Sequence, residues 1–285
     1  MTLGQDFLKI ITNIASEFEL PSVDKIYIPV KDKLTIDHKK ANFGAIKLTD
    51  GSTGIFFVGL HPDFHKIAEK TDLKSLIEEN ILKLASKFNS QNLFERTIGL
   101  GIINAISHFV FTQFKFQFDN SNNILDLMNI QSDDFIGMVG YFPPLVRKLK
   151  NITNQFIVVE LKKELINKFS DWEITLDKTK LRDCNKIICT STTIINNTLD
   201  DVLKYTQNTE FFALIGPTAG FLPDPLFTRN IDVIGGSVVN NSELFFNRIT
   251  QGERWGDSVS KFAILRKDYL GFQSLIERAR SNKIN

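Results

Sequence analysis

Four loops in the second half of the sequence contain residue types that could bind a small ligand. The first, residues 137–144, reads Gly-Met-Val-Gly-Tyr-Phe-Pro-Pro and joins a predicted strand to a predicted helix. Free N–H groups at the start of a helix favour an anion or another polar group. The spacing lacks the Gly-x-Gly-x-x-Gly fingerprint of dinucleotide sites, and Tyr141 and Phe142 fill space that a pyrophosphate needs. The loop disfavours NAD and favours a flat or partly apolar ligand; the alternative without a ligand is a proline-started helix with core aromatics. Its candidate binding residues are Gly140, Tyr141, Phe142 and Pro143.

Glu160 ends the next predicted strand, twenty residues after Gly140. Rossmann domains place an acid at this distance to bind a ribose hydroxyl. An exposed glutamate at a strand end is also common without any ligand. Glu160 is therefore a candidate for orienting hydroxyl groups, although the glycine motif that normally accompanies it is absent.

The third loop, residues 190–198, reads Thr-Ser-Thr-Thr-Ile-Ile-Asn-Asn-Thr. Its four consecutive hydroxyls and two amides offer neutral donors and acceptors for a ligand. Thr198 is also predicted to cap a helix, with Asp201 completing a capping-box pair. A Ser-His-Asp triad is not predicted, since no histidine follows His108. The candidate binding residues of this loop are Thr190, Ser191, Thr192, Asn196, Asn197 and Thr198.

The fourth loop, residues 216–220, reads Gly-Pro-Thr-Ala-Gly. A Gly-Pro turn at a strand end exposes backbone N–H groups and fixes the shape of the loop. A rigid turn with no ligand is the alternative. Gly216, Pro217 and Thr218 are its candidate binding residues.

A predicted helix over residues 92–111 carries Arg96, Asn104 and His108 on one face. Buried polar groups need partners, so we expect each of them to find one. Gly99 and Gly101 predict that another element packs close against this helix. We expect the C-terminal domain to do so, with Asn104 facing the ligand cleft and His108 satisfied in the core.

A metal site is a weaker alternative. His61, Asp63 and His65 have spacing that could bind a cation, although no general base lies between the histidines. Cys184 and Cys189 fit neither a disulfide framework nor a zinc signature.

Two domains are predicted from these elements and from the length of 285 residues. Residues 1–115 predict an α+β domain, with helices over 5–18, from 62, over 73–88 and over 92–111, and strands over 25–30, 42–48 and 52–58. Asp50-Gly51 is a hairpin signal between the last two strands. A linker is predicted over residues 116–123.

A Rossmann-like α/β domain is predicted over residues 124–285, with a parallel sheet that is covered by helices on both faces. Its predicted strands are 135–139, 156–160, 186–190, 211–215 and, as the last, 232–234, with helices over 124–128, 143–149 and from 163.

Composition restricts the partners of the chain. Lys plus Arg number 34 and Asp plus Glu number 33, a balance unsuited to binding a nucleic-acid backbone. The apolar run 98–111 is shorter than the roughly 20 residues that span a bilayer. The N-terminus has no signal-peptide pattern. We expect a cytoplasmic protein with a small-molecule ligand and with neither membrane nor nucleic acid as a partner; an oligomer is open.

The order of these loops, followed by their flanking residues, resembles one family. Gly-Met-Val-Gly-Tyr-Phe-Pro-Pro-Leu, Val-Val-Glu-Leu, the run 190–200 and Ile-Gly-Pro-Thr-Ala occur in sequence, preceded by Glu-Arg-Thr-Ile-Gly-Leu-Gly-Ile-Ile-Asn-Ala-Ile. They are similar to the family known as Putative heavy-metal chelation. The resemblance implies an enolase N-terminal-like domain packed on a Rossmann-like domain, with a site between them. The positions of this sequence that match the family's site are Asn104, Gly140, Tyr141, Phe142, Pro143, Glu160, Thr190, Thr192, Asn196, Thr198, Gly216, Pro217 and Thr218. Asn197 stands where the family usually has glycine.

Three hypotheses for function follow, and whether the protein is an enzyme is open. The first is binding of a metal chelate or its precursor in an interdomain cleft, in metal homeostasis or metallocofactor metabolism. The second is an enzyme acting on a nucleotide-like or pterin-like molecule. The third is a non-catalytic interaction module that uses Lys148, Lys150, Lys162 and Lys163.

Overall fold

The computed structural model describes residues 1–29, 42–60, 64–118, 123–166 and 172–284. Its first half contains α1 (Leu3–Glu17), β1 (Val23–Tyr27), β2 (Phe43–Leu48), β3 (Thr53–Phe57), α2 (Phe64–Lys70), α3 (Leu73–Glu78), α4 (Ile81–Ser86) and α5 (Leu93–Gln113). The three strands form an antiparallel sheet in the order β1-β2-β3. The predicted hairpin is present, with Gly51 at φ 92° in its turn.

The predicted helix over 73–88 is wrong in its continuity. It is divided into α3, α4 and a 3-10 turn at Lys87–Asn89. The side chain of Asn80 accepts hydrogen bonds from the N–H groups of Leu82 and Lys83, which starts a new helix. An asparagine that satisfies the first free N–H groups of a helix favours a boundary there.

Helix α5 is buried along most of its length, as predicted, but its close neighbours differ from the expectation. A Cβ atom at Gly99 would lie 2.2 Å from the backbone nitrogen of Phe88, and one at Gly101 would lie 2.6 Å from the ring of Phe56. These glycines therefore allow other elements of the first half of the chain, and not the C-terminal sheet, to pack closely against α5. In the described ranges, neither α5 nor another helix combines the length and apolarity required to cross a membrane.

The second half contains α6 (Ile124–Leu127), β4 (Ile136–Val139), α7 (Pro143–Leu149), β5 (Phe156–Val159), β6 (Glu173–Thr175), β7 (Lys186–Thr190), α8 (Thr192–Ile195), α9 (Leu199–Leu203), β8 (Phe211–Ile215), α10 (Asp224–Phe227), β9 (Val233–Val239), α11 (Ser242–Thr250), β10 (Val259–Leu265) and α12 (Phe272–Ile284). Of the helix predicted from residue 163, a 3-10 turn at Lys163–Leu165 is described, and residues 167–171 lie outside the described residues.

These strands form one sheet in the order β10-β9-β8-β7-β4-β5-β6. The chain starts in the centre at β4, adds β5 and β6 on one side, and then crosses to β7 on the other side. The neighbouring strands are parallel except β10, which is antiparallel to β9. The prediction that 232–234 is the last strand is wrong, because β9 is longer and β10 follows it. Strand β6 was also not predicted.

Alternate strand residues face two hydrophobic cores, which confirms a sheet covered on both faces. Ile136 and Ile188 pack with residues of α6 and α7 in one core. Ile187 packs with residues of α8 and α9 in the other, which continues without interruption into Phe56 and Ile98 of the first half.

The segment 116–123 was predicted as a linker. Phe116 and Phe118 instead pack their rings against Phe111, and Phe118 also packs against Phe262. Residues 119–122 lie outside the described residues. The domain boundaries themselves stay a prediction.

Candidate functional site

The carboxyl ends of β4, β5, β7 and β8 surround a cavity of about 410 Å³, which we call the strand-end cavity. It lies where the strand order reverses between β4 and β7. In open α/β sheets, ligands bind at this switch point. The volume lies within the range of roughly 300–1,000 Å³ typical of small-ligand sites.

Twelve of the fifteen candidate residues line this cavity. They are Gly140, Tyr141, Phe142, Glu160, Thr190, Ser191, Thr192, Asn196, Thr198, Gly216, Pro217 and Thr218. Pro143 instead starts α7, Asn197 lies in the turn after α8, and Asn104 is buried elsewhere. The topology thus brings the four loops together, and their binding of a ligand stays a prediction.

Gly140 and Gly216 have backbone conformations that favour glycine. Their φ angles are 85° and 146°. A Cβ atom at Gly140 would lie 2.9 Å from Cγ2 of Thr190, and one at Gly216 would lie 2.4 Å from Oγ of Ser191. Both glycines therefore let neighbouring loops approach each other at the cavity.

The carboxylate of Glu160 is held by backbone groups. Oε2 accepts from the N–H of Tyr141 (3.0 Å), and Oε1 accepts from the N–H groups of Leu161 (2.8 Å) and Lys162 (3.2 Å). Glu160 thus joins the loop after β4 to the loop after β5. This role in positioning the two loops explains why a glutamate is present here, and no ribose hydroxyl is needed as its partner.

We expect Glu160→Ala to lower the free energy of unfolding by about 1–2 kcal/mol, because several hydrogen bonds to a charged acceptor are lost. Urea unfolding measures this change, and the exchange rate of the Tyr141 amide hydrogen should rise. Glu164→Ala, at an exposed glutamate nearby, is the control. An unchanged exchange rate at Tyr141 would rule out the positioning role.

The hydroxyls of the loop after β7 form a local cluster. Oγ1 of Thr190 and Oγ1 of Thr192 are 3.0 Å apart, and Oγ1 of Thr193 donates to the carbonyl oxygen of Thr190 (2.7 Å). Ser191 is buried against Gly216. Thr190 and Thr192 are therefore the hydroxyls best placed to meet a ligand.

The predicted capping box at Thr198 is wrong. Oγ1 of Thr198 donates to Oδ1 of Asn196 (2.6 Å) and caps no helix N–H. Asp201 forms an ion pair with Lys178, which itself lines the cavity. The local sequence pattern was overridden by these partners. Asn197 has φ 58°, a conformation that asparagine and glycine adopt most readily.

The second wall of the cavity comes from the N-terminal sheet, and not from α5 as predicted. Phe43, Phe57, Gly59 and Leu60 contribute it. Phe43 and Phe57 are paired across β2 and β3, with ring centroids 5.4 Å apart. The predicted hairpin could have indicated this pair in the sequence, since residues opposite each other on two paired strands lie on the same face of the sheet. Lys162 and Lys178 also line the cavity, although the sequence suggested Lys162 only for a protein-interaction surface and Lys178 for no role.

Asn104 lies between the two sheets and does not face the strand-end cavity. It is 1% exposed. Its Nδ2 donates to the carbonyl oxygens of Ile55 and Thr218, both at 2.8 Å. Within the described ranges its Oδ1 has no hydrogen-bond partner. Because Thr218 lines the cavity, Asn104 holds one cavity loop against β3.

The other polar residues of that helix face have partners, as predicted. Arg96 donates to the carbonyl oxygens of Ser90 and Ile195, and burial lowers the pKa of its guanidinium. Nδ1 of His108 accepts from the N–H of Thr53 (2.9 Å). Burial lowers the pKa of His108 below its ordinary value of 6.5. His108 is therefore a satisfied core histidine.

The residues of the structure do not fit a bare metal ion. Across the described part of the chain, no group of three or more His, Cys, Asp or Glu residues could hold one. Nδ1 of His65 lies 2.6 Å from the carbonyl oxygen of Pro29, while His61 and Asp63 lie outside the described residues. Cys184 and Cys189 are buried and unpaired, and burial raises the pKa of both thiols to about 12. Neither thiol is thus a ready thiolate ligand.

The fold and the strand-end cavity define an α/β protein with a Rossmann-like sheet and a smaller N-terminal sheet. Two family profiles, both described as Putative heavy-metal chelation, match residues 41–107 and 123–264. The chain belongs to this family, which confirms the resemblance inferred from the loops.

Part of the chain is also similar to a known protein sequence. An uncharacterized protein of Methanocaldococcus jannaschii is 28% identical over 150 residues, which are 52% of this chain and 56% of the relative. The match thus spans little more than half of that protein.

Two crystal structures of proteins of unknown function from the same family show the same fold. The one from Pyrococcus horikoshii has a TM-score of 0.71 and 22% identity, covering 93% of this chain and all of that one. The one from Desulfitobacterium hafniense has a TM-score of 0.68 and 18% identity, covering 92% and 99%.

Proposed function

We propose that the strand-end cavity binds a small organic metal chelate, or a precursor of one, in metal homeostasis or metallocofactor metabolism. The carrying observation is the chemistry of the lining, in which hydroxyls, the Asn196 amide and aromatic rings predominate. Of its three charged residues, Glu160 is held by backbone N–H groups and Lys178 is paired with Asp201. A bare ion needs several protein ligands, which the described residues do not assemble. An ion already coordinated by an organic ligand needs hydrogen bonds and apolar contacts instead.

The residues present suit such a ligand. The hydroxyls of Thr190 and Thr192 can donate to or accept from its polar edge. Oδ1 of Asn196 is occupied by Thr198, while its Nδ2 makes no hydrogen bond to any described residue and is available as a donor. Tyr141 and Phe142 provide ring surface for its apolar part. The metal is cargo in this proposal, and the organic ligand supplies its coordinating atoms.

Metal analysis of the protein, purified with and without incubation in cell extract, tests this proposal. We expect a metal-bearing small molecule to co-purify with the protein. The double variant Thr190→Val, Thr192→Val keeps the side-chain shape and loses two hydroxyls. It should retain about tenfold less of that molecule, because lost hydrogen bonds of roughly 0.5–1.5 kcal/mol each add up to this factor.

Thr112→Val, at an exposed position of α5, is the matched control and should retain the wild-type amount. The proposal fails when nothing metal-bearing co-purifies with or binds to the wild-type protein.

A second candidate is an enzyme acting on a planar nucleotide-like or pterin-like molecule. The aromatic side chains on both walls favour it, since Phe43 and Phe57 lie in one wall and Tyr141 and Phe142 in the other. A thermal-shift panel of nucleotides, pterins and tetrapyrroles separates the candidates. Stabilisation by a metal-free nucleotide or pterin, lost in Tyr141→Ala, would favour the second one.

A further inference from the structure

A second cavity lies beside the strand-end cavity and shares Phe142, Gly216 and Pro217 with it. It measures about 580 Å³. We call it the sheet-face cavity, because β9 and β10 contribute Gly235 and Ala263 to its lining while α7 contributes another part. The two cavities are therefore adjacent, with these three residues between them.

Gly235 keeps the sheet-face cavity open. A Cβ atom at this position would lie 3.1 Å from Cγ2 of Ile215 and 3.8 Å from Cδ1 of Ile124, and both residues line the cavity. The backbone of Gly235 is outside the left-handed region, in contrast to Gly140 and Gly216. Turn geometry therefore does not require glycine here, and its effect is to leave space.

The charge of the sheet-face cavity is unbalanced. Lys148 and Lys261 line it, and no Asp or Glu is present among its described lining residues. Neither lysine forms an ion pair or a side-chain hydrogen bond within the part of the chain that the structure describes. Lys178 and Lys186, by contrast, are paired with Asp201 and Asp134. Both lysines are exposed to solvent at the border of this cavity, and among the described residues no carboxylate pairs with either of them.

We propose that the sheet-face cavity binds an oxyanion, a carboxylate or phosphate group, on the ligand whose other part occupies the strand-end cavity. This inference rests on the proposed function and specifies its ligand as a multiply charged anionic small molecule. An ammonium group binds either oxyanion as a point charge, and no acidic side chain in the lining competes. Phe142 and Pro217 form the boundary that such a ligand would cross.

Lysine-specific NMR tests the inference. Reductive methylation with ¹³C-formaldehyde keeps the charge of each lysine and gives it a resolved signal, which Lys148→Arg and Lys261→Arg assign. Citrate and pyrophosphate are titrated separately at constant ionic strength. We expect the signals of Lys148 and Lys261 to shift together and to saturate with at least one of these anions.

The double variant Lys148→Gln, Lys261→Gln should bind that anion about tenfold more weakly, since two charge contacts are lost. Lys267→Gln removes one exposed charge at a residue that lines neither cavity and should change the affinity less than about twofold. Saturation with citrate alone identifies a polycarboxylate, and saturation with pyrophosphate alone identifies a phosphate. Signals of Lys148 and Lys261 that stay in place, or equal weakening by Lys267→Gln, overturn the inference.

The result is independent of the test of the proposed function. If an anion binds at the two lysines but no metal-bearing ligand binds, the oxyanion site is supported and the proposal of a metal chelate is contradicted. If a chelate binds and its binding depends on Thr190 and Thr192 but not on the two lysines, only the proposal of an oxyanion site is contradicted.

Discussion

Gly54→Ala is expected to lower the free energy of unfolding by about 4 kcal/mol or more, a loss large enough to prevent folding of many domains. A Cβ atom at Gly54 would lie 2.1 Å from the carbonyl oxygen of Gly101 and 2.5 Å from the backbone nitrogen of Ala105. Both atoms belong to the backbone of α5, so no side-chain rotation can relieve the overlap. Urea unfolding monitored by circular dichroism measures the loss, and the yield of folded protein reports it if the variant does not fold.

Gly256→Ala is the matched control, because a Cβ atom there would meet nothing within 4 Å. Its stability should stay within about 0.5 kcal/mol of wild type. A Gly54→Ala protein as stable as this control would contradict the close approach of β3 and α5. The approach matters for the site because β3 ends in Phe57, which lines the strand-end cavity.

Asn104→Asp is the second substitution with a large expected effect. It should lower the free energy of unfolding by about 3–5 kcal/mol near neutral pH. The variant loses the Nδ2 donor to Ile55 and Thr218 and places a carboxylate against two carbonyl oxygens in a buried position. Burial disfavours the charged form and raises the pKa of such a carboxyl. A group with a raised folded-state pKa binds its proton more tightly when folded, so the stability deficit should shrink as the pH falls towards 4 and grow as it rises.

Asn104→Leu provides the comparison for Asn104→Asp. It also removes the donor, but it adds no charge, so its deficit should be smaller and independent of pH over the same range. Hydrogen exchange in residues 216–220 should increase in both variants if Asn104 positions the loop that contains Thr218. An Asp variant whose stability does not vary with pH would mean that the side chain reaches solvent.

The sequence alone was sufficient to predict most of the residues of the four loops that line the strand-end cavity, because its signals are local. Buried strands followed by Gly-Tyr-Phe-Pro-Pro, by Glu160, by the hydroxyl run and by Gly-Pro-Thr all end at the same edge of a parallel sheet. The rule that ligands bind at this edge then brings them together without knowledge of the contacts. The turn at Gly216 was likewise predicted from its Gly-Pro sequence, and its φ of 146° is one that glycine adopts readily.

Other features depend on contacts between distant parts of the chain. Strand β10 pairs with β9 in antiparallel order, and the short β6 pairs with β5 at one edge. Neither has a strong local pattern of its own. Thr198 was predicted from a capping motif, but Asn196 and Lys178 offered its members other partners. Asn196 is only two residues from Thr198, so that hydroxyl takes another local partner, whereas Asp201 pairs with Lys178 at a separation of 23 residues.

The sequence by itself determined which side chains follow each parallel strand. It also determined that these loops contain no dinucleotide fingerprint. Only the tertiary structure decided that Phe43 and Phe57 form the opposite wall, that Asn104 holds Thr218, and that Lys148 and Lys261 share a cavity. The physical reason is that residue type and turn geometry act over a few neighbouring residues. The distance between two surfaces, in contrast, depends on how whole elements pack, as the contact between Gly54 and the backbone of α5 shows.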